Sequence, residues 1–185
     1  MRRTILFAIL GLAFAPSLAT AQSSGLTGAE RTQALAAASA ALNAQRSLRG
    51  TFRQTAPDGR TSTGRFYLQR PGRVRFEYDP PAQFLVVADG SIVAIQDRAL
   101  RTTNRAPLRS TPLFFVLKSE ISLERDARVT RVVREGGALL VSARDRSGQA
   151  DGVLTLRLEG PDYTLRSWDV VDATGSRTRV QLTSV

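Results

Sequence analysis

Few side chains of this 185-residue sequence are suited to acid–base or covalent chemistry. Glu77 with Asp79, and Asp89 with Asp97, are spaced so that two carboxylates could divide acid and base roles. Lys118, the single lysine, could in principle activate a neighbouring Ser or Thr, but no motif surrounds it. Glu77 and Asp79 share a strand face with Arg75, a pattern that reads as a solvated charged surface. With no His and no Cys, the chain has no disulfide, thiol nucleophile, Cys/His zinc site, Ser-His-Asp triad or histidine base. The inventory points to binding, and no enzyme activity, metal or cofactor is expected.

The charge balance, 26 Lys+Arg against 16 Asp+Glu, gives a net charge of +10. Apart from Lys118 the basic residues are arginines, spread along the chain without a basic run, so nucleic-acid binding is not expected.

The N-terminus explains part of the apolar content. Met1-Arg2-Arg3 is followed by an apolar run from Ile5 to Ala15, a break at Pro16-Ser17, and the small residues Ala19-Thr20-Ala21. Residues 1–21 are expected to be a secretory signal peptide, since the run is too short to span about 30 Å of hydrocarbon. The mature chain, residues 22–185, is expected to be one exported, soluble domain in the periplasm. No Cys follows the signal, so the protein cannot itself be anchored through an N-terminal thioether.

The elements that must position any binding surface are legible from periodicity. Thr27-Gly28-Ala29-Glu30 reads as a capping box, and Leu35, Ala38 and Leu42 recur at helical spacing, which predicts a helix over about 28–46. From Leu48 onward the pattern has period two. Ten short strands are expected, with Asp89-Gly90 and Gly136-Gly137 as hairpin turns and Gly175 before the last strand. Thr111 to Leu117 breaks the pattern and predicts a short apolar helix, with Thr111 as N-cap and Pro112 in the first turn. One apolar sheet face, an Ala-rich helix and a short greasy helix suggest an antiparallel sheet curled around a cavity. The pattern alone leaves that cavity and an ordinary filled core equally open.

A resemblance narrows the choice. The stretch from Phe66 through Arg70-Pro71-Gly72, Val74, Phe76 and Tyr78 to Pro80-Pro81 resembles the strand-turn-strand of the LolA family of outer-membrane lipoprotein carriers. Leu85-Val86-Val87-Ala88-Asp89-Gly90, Asp97 with Leu100, and Thr111-Pro112-Leu113 to Leu117 follow in the family's order, after an early Phe52-Arg53-Gln54. Where the family often has Trp and Tyr after the Asp-Gly turn, this chain has Val93-Ala94-Ile95-Gln96. The resemblance implies a mainly β fold, an incomplete antiparallel barrel whose N-terminal and lid helices enclose a hydrophobic cavity.

It also implies the binding of lipoprotein acyl chains, received from a LolCDE-type inner-membrane transporter and passed to a LolB-like outer-membrane acceptor, by a monomer without cofactor. Arg70 matches the family arginine that latches the lid. Val74, Phe76, Phe84, Val86, Leu113, Phe114 and Leu117 are the expected cavity lining. Two alternatives remain at this point: a carrier or sensor of another envelope lipid on the same fold, and an envelope protein-interaction module with a filled core.

Overall fold

The period-two pattern folds into eleven antiparallel strands. In the computed structural model, which describes residues 25–112 and 114–185, they are β1 Ser47–Thr55, β2 Thr61–Gln69, β3 Arg73–Tyr78, β4 Phe84–Asp89, β5 Ile92–Asp97, β6 Thr102–Pro107, β7 Ala127–Glu135, β8 Ala138–Asp145, β9 Val153–Glu159, β10 Thr164–Val171 and β11 Arg177–Ser184. They form a single sheet in the order β6-β5-β4-β3-β2-β1-β11-β10-β9-β8-β7. Two meanders of hairpins are thus joined along one non-local seam, β1 against β11, where Phe52 faces Leu182 and Gln54 faces Val180. The terminal strands β6 and β7 do not pair, so the sheet is an open, incomplete barrel.

The turns follow the expected chemistry. Asp89 Oδ1 accepts from the Ser91 and Ile92 amides, and Gly90 takes φ +107° between them. Gly136 and Gly137, both at positive φ, close the β7–β8 hairpin, as the paired left-handed residues of a tight hairpin require. The strand not anticipated is β6. Thr102-Thr103-Asn104-Arg105 has no apolar alternation, because this edge strand is almost wholly exposed and pairs only with β5.

Helix α1 (Gly28–Ala44) buries Leu35, Ala38 and Leu42, the stripe read from the sequence, together with Ala34. Its start differs from the expected capping box. Thr27 is the N-cap residue, but its side chain makes no capping bond. Gly28 enters the helix at φ +55°, outside the backbone geometry a reciprocal box needs. The second expected helix is also shorter. A 3-10 turn, Leu108–Ser110, comes first, and α2 spans only Phe114–Leu117. Thr111 is extended, and its hydroxyl turns back to the Leu108 carbonyl instead of capping α2. Leu113 and the expected signal peptide lie outside the described residues. A third short helix, α3 (Leu123–Asp126), is capped by the Ser122 side chain.

Polar clips hold α1 on the β7–β10 side of the sheet. The Leu26 amide and Arg31 Nη2 donate to the Val132 and Val129 carbonyls of β7. Asn43 makes a two-way bond with Ile121, donating to its carbonyl (2.9 Å) and accepting from its amide (2.8 Å). Ser39 Oγ accepts from the Leu123 amide, and Gln45 Oε1 from the Leu165 amide of β10. Beneath these helices the packing is tight, with a void of only about 10 Å³ between Leu42, Phe115, Leu123 and the strands.

The opposite sheet face is charged. Asp169 on β10 lies between Arg179 (2.7 Å) and Arg177 (2.5 Å) of β11. Partial burial opposes ionisation of its carboxyl, but the bonds from the two guanidinium groups outweigh it and hold the pKa below the usual carboxylate range. The folded-state pKa is therefore depressed. Its contribution is complete above the unfolded value of about 3.9 and is lost as pH falls through the lower folded value. Asp169→Asn is expected to lose about 1–2 kcal/mol at pH 7 and to flatten the acid limb of the stability curve. Urea melts at pH 7 and pH 3 check this, and an unchanged acid limb would exclude the role.

Candidate functional site

On the part of the sheet that α1 does not cover, the apolar side chains line a cavity of about 860 Å³. Its walls are the inward residues of β3–β5 on one side and of β10–β11 on the other, with Thr111 and Pro112 at one margin. The volume lies near the upper end of the range for small-molecule sites. Along its wall, Phe76 packs against Trp168 (6.2 Å between centroids) and Tyr78 stands edge-on to Phe84; behind them, buried Phe52 packs edge-on to both Phe76 (5.1 Å) and Tyr78. Phe84 and Ile95 are each about two-fifths exposed, so apolar surface is left facing the opening.

The expected lining divides. Phe76, Phe84 and Val86 do line this cavity. Val74 and Leu117 are instead closed into the core, at 3% and 1% exposure. Phe114 lies half-buried beside Arg70, Pro71 and Lys118 in a separate surface depression. Leu113 is outside the described residues. Sequence reasoning missed Trp168, Val170 and Val180, since only the β1–β11 seam brings those strands to β3 and β4. It also missed Val93 and Ile95, although their alternation in β5 was a usable signal.

Arg70, at the end of β2, is nearly buried, and its Nη1 donates to the Leu42 carbonyl in the last turn of α1. The last carbonyls of a helix have no partner within it and carry its negative pole, and α1 has no basic residue of its own there. Arg70 supplies that cation from the sheet. Its Nε is buried without a partner. Burial, reinforced by nearby Arg46, lowers the guanidinium pKa to about 10, which still leaves it charged at neutral pH. One residue pair further, the Gly72 amide donates to the Leu117 carbonyl, so the β2–β3 turn grips the ends of both α1 and α2.

The groups considered for catalysis are engaged elsewhere. Glu77 is paired with Arg75 and Arg65 on the outer face, and Asp79 accepts from Thr63. Asp89 and Asp97 accept backbone amides in their turns, and Lys118 is paired with Asp126 at 2.9 Å. Tyr78 is pushed up to about 12 by burial and donates to Gln54 Oε1 inside the cavity. Among the described residues no helix is long and apolar enough to cross a membrane.

The sequence is 33% identical over 180 residues to a protein of Leptothrix cholodnii named outer-membrane lipoprotein carrier protein, covering 92% of this chain and 82% of that one. A protein of the same name from Methylibium petroleiphilum is 32% identical over 142 residues, covering 72% and 68%. The crystal structure of a LolA superfamily protein from Nitrosomonas europaea superimposes with a TM-score of 0.42 at 10% identity, covering 78% of this chain and 75% of that one. The family described as Outer membrane lipoprotein carrier protein LolA matches residues 43–185, from the end of α1 through the last strand. An open sheet with an apolar cavity beside the helices packed on its β7–β10 side is thus the framework in which these relatives are found, and the chain belongs to the LolA family of outer-membrane lipoprotein carrier proteins.

Proposed function

We propose that the protein carries the acyl chains of lipoproteins through the periplasm, from the inner to the outer membrane. The observation that supports this reading most directly is the apolar cavity of about 860 Å³, open to solvent and lined by Phe76, Phe84, Val86, Ile95 and Trp168. An interior this apolar has no structural use when filled with water, whereas each CH₂ moved into it is worth about 0.8 kcal/mol. A long acyl chain is then worth on the order of 10 kcal/mol, so full burial of several chains would prevent delivery. Gating resolves this. The helices packed on the β7–β10 side close part of the sheet, and their opening would extend the cavity at an energetic cost that weakens net affinity and allows release. In this reading a LolCDE-type transporter loads the cavity, a LolB-like acceptor empties it, residues 1–21 direct export, and Arg70 latches the closed state.

Trp168 offers the test, because it is the single tryptophan of the chain and lines the cavity. Added palmitoyl lysophosphatidylcholine is expected to change its emission saturably. Native mass spectrometry of protein purified from an envelope fraction is expected to show retained lipid or acylated protein. A bare mass together with no emission change would overturn the carrier reading and leave a protein-interaction module.

A further inference from the structure

The cavity carries a polar spot within its apolar lining. Tyr78 Oη donates to Gln54 Oε1 at 2.7 Å, which fixes the orientation of the carboxamide. Its oxygen is taken, so the Nε2 group, with two N–H donors, is directed elsewhere. It has no protein partner among the described residues. It is also not sealed in the protein, since Arg70 Nε is the one buried side-chain polar atom found there without a partner. Gln54 lines the cavity, so the space open to those donors is the cavity itself.

Ser62 adds a second donor. It stands directly opposite Gln54 in the β1–β2 register and lines the same cavity. Side chains in such a pair start about 5 Å apart, close enough for both to meet one ligand atom. The charged groups at the cavity are already engaged. Arg60 is paired with Asp58, and Asp97 accepts from the Ala99 and Leu100 amides. What faces the ligand at this point is a pair of neutral donors beside Val180, the register partner of Gln54 on β11. The cavity lining also has Phe76 and Trp168, and its remaining polar side chains, such as Thr61 and Thr178, are likewise neutral. This is the chemistry that recognises an uncharged oxygen acceptor.

We propose that Gln54 and Ser62 form a carbonyl-binding subsite, which takes the ester or amide oxygen at the head of an acyl chain whose tail lies along the aromatic lining. The proposal rests on the reading of the cavity as an acyl-chain site and adds polarity to it: the chain enters with a defined direction. An acyl chain begins at a carbonyl and an alkyl chain does not, so the subsite discriminates between them. Without a carbonyl, the donors lose water and gain nothing, and the expected discrimination is about tenfold.

Displacement of the fluorescent apolar probe N-phenyl-1-naphthylamine from the full protein tests this, with dioctanoylglycerol and its diether analogue dioctylglycerol as competitors. The diester is expected to bind about tenfold more tightly than the diether. Gln54→Leu and Ser62→Ala should each reduce that ratio by weakening diester binding while diether binding stays constant. Equal affinity of the unaltered protein for both competitors, or an undiminished ratio in both variants, would overturn the subsite and leave the carrier reading standing. Failure of the unaltered protein to bind the probe would overturn both. Should Gln54→Leu fail to fold, Ser62→Ala and the unaltered protein's own ratio still decide.

Discussion

Arg70→Leu is expected to leave a folded protein whose α1 terminus opens at least tenfold more often and which takes up apolar ligand more readily but releases it more slowly. The reason lies in what the guanidinium does in the closed state. It makes one charge-assisted bond to the Leu42 carbonyl at the negative end of α1, while its Nε is buried without a partner. A bond of this kind is worth about 1.5–3 kcal/mol, or a factor of roughly 10–100 in an opening equilibrium. Desolvating the charge works against that gain in opening and in unfolding alike, so both should change near the low end of that range, by about 1.5 kcal/mol. Amide exchange in urea separates the two processes. Protection at residues 39–45 should drop through a local opening, which exposes less surface and so depends more weakly on urea than protection in β8 and β9. Unchanged exchange at the α1 terminus would remove Arg70 from any latch. The same urea dependence at the terminus as in β8 and β9 would make it a stability residue instead.

Phe52→Ala is expected to cause the largest loss of stability, about 3–5 kcal/mol, a large share of the 5–15 kcal/mol that holds a typical domain together. Phe52 is 1% exposed and stands edge-on to Phe76 and to Tyr78. It is on β1, the strand that joins the two meanders, where it faces Leu182 of β11. Across from it β2 has Gly64, and a Cβ there would collide with the Glu77 carbonyl oxygen of β3 and lie 2.8 Å from the Phe52 ring, so the glycine makes room for both the neighbouring backbone and the aromatic. Truncation leaves a hole that Gly64 cannot fill, at the seam through which β10 and β11 reach the cavity. Urea denaturation measures the loss, and a value under about 1 kcal/mol would show that the core collapses around the site.

Much of the fold was legible because strands and tight turns announce themselves locally. Phe66 and Leu68, or Leu154, Leu156 and Leu158, can keep one face dry only if they alternate, and Asp89-Gly90 supplies the acceptor and the positive φ that its hairpin needs. The failures are equally physical. β6 buries almost nothing, so it leaves no apolar trace. Thr27 and Glu30 have the right spacing for a capping box, but Gly28 between them takes a backbone conformation that spacing cannot reveal. Thr111 has the chemistry of an N-cap, and the Leu108 carbonyl three residues back claims its hydroxyl first.

The cavity was legible in part. Phe76, Phe84 and Val86 share one wall because strands adjacent in sequence pair as hairpins, so a local reading reaches all three. Val74 has the same alternation as Phe76 yet ends in closed core two residues away, because inward facing does not say what lies opposite. The family resemblance pointed to Arg70, but its partner, the Leu42 carbonyl, is a backbone group that carries no sequence signature.

By itself, then, the sequence determined which residues face inward, where the chain turns, and that no thiol or imidazole chemistry is possible. These properties depend on side-chain type and on hydrogen bonds between near neighbours. Only the tertiary structure decided that β1 meets β11, which puts Trp168 and Val180 across from Phe76, that the β2–β3 turn holds the ends of α1 and α2, and that Tyr78 orients Gln54 in the cavity. Each of these is a contact between segments far apart in the chain. Its partner is selected by the curvature and register of the whole sheet, which no local pattern encodes.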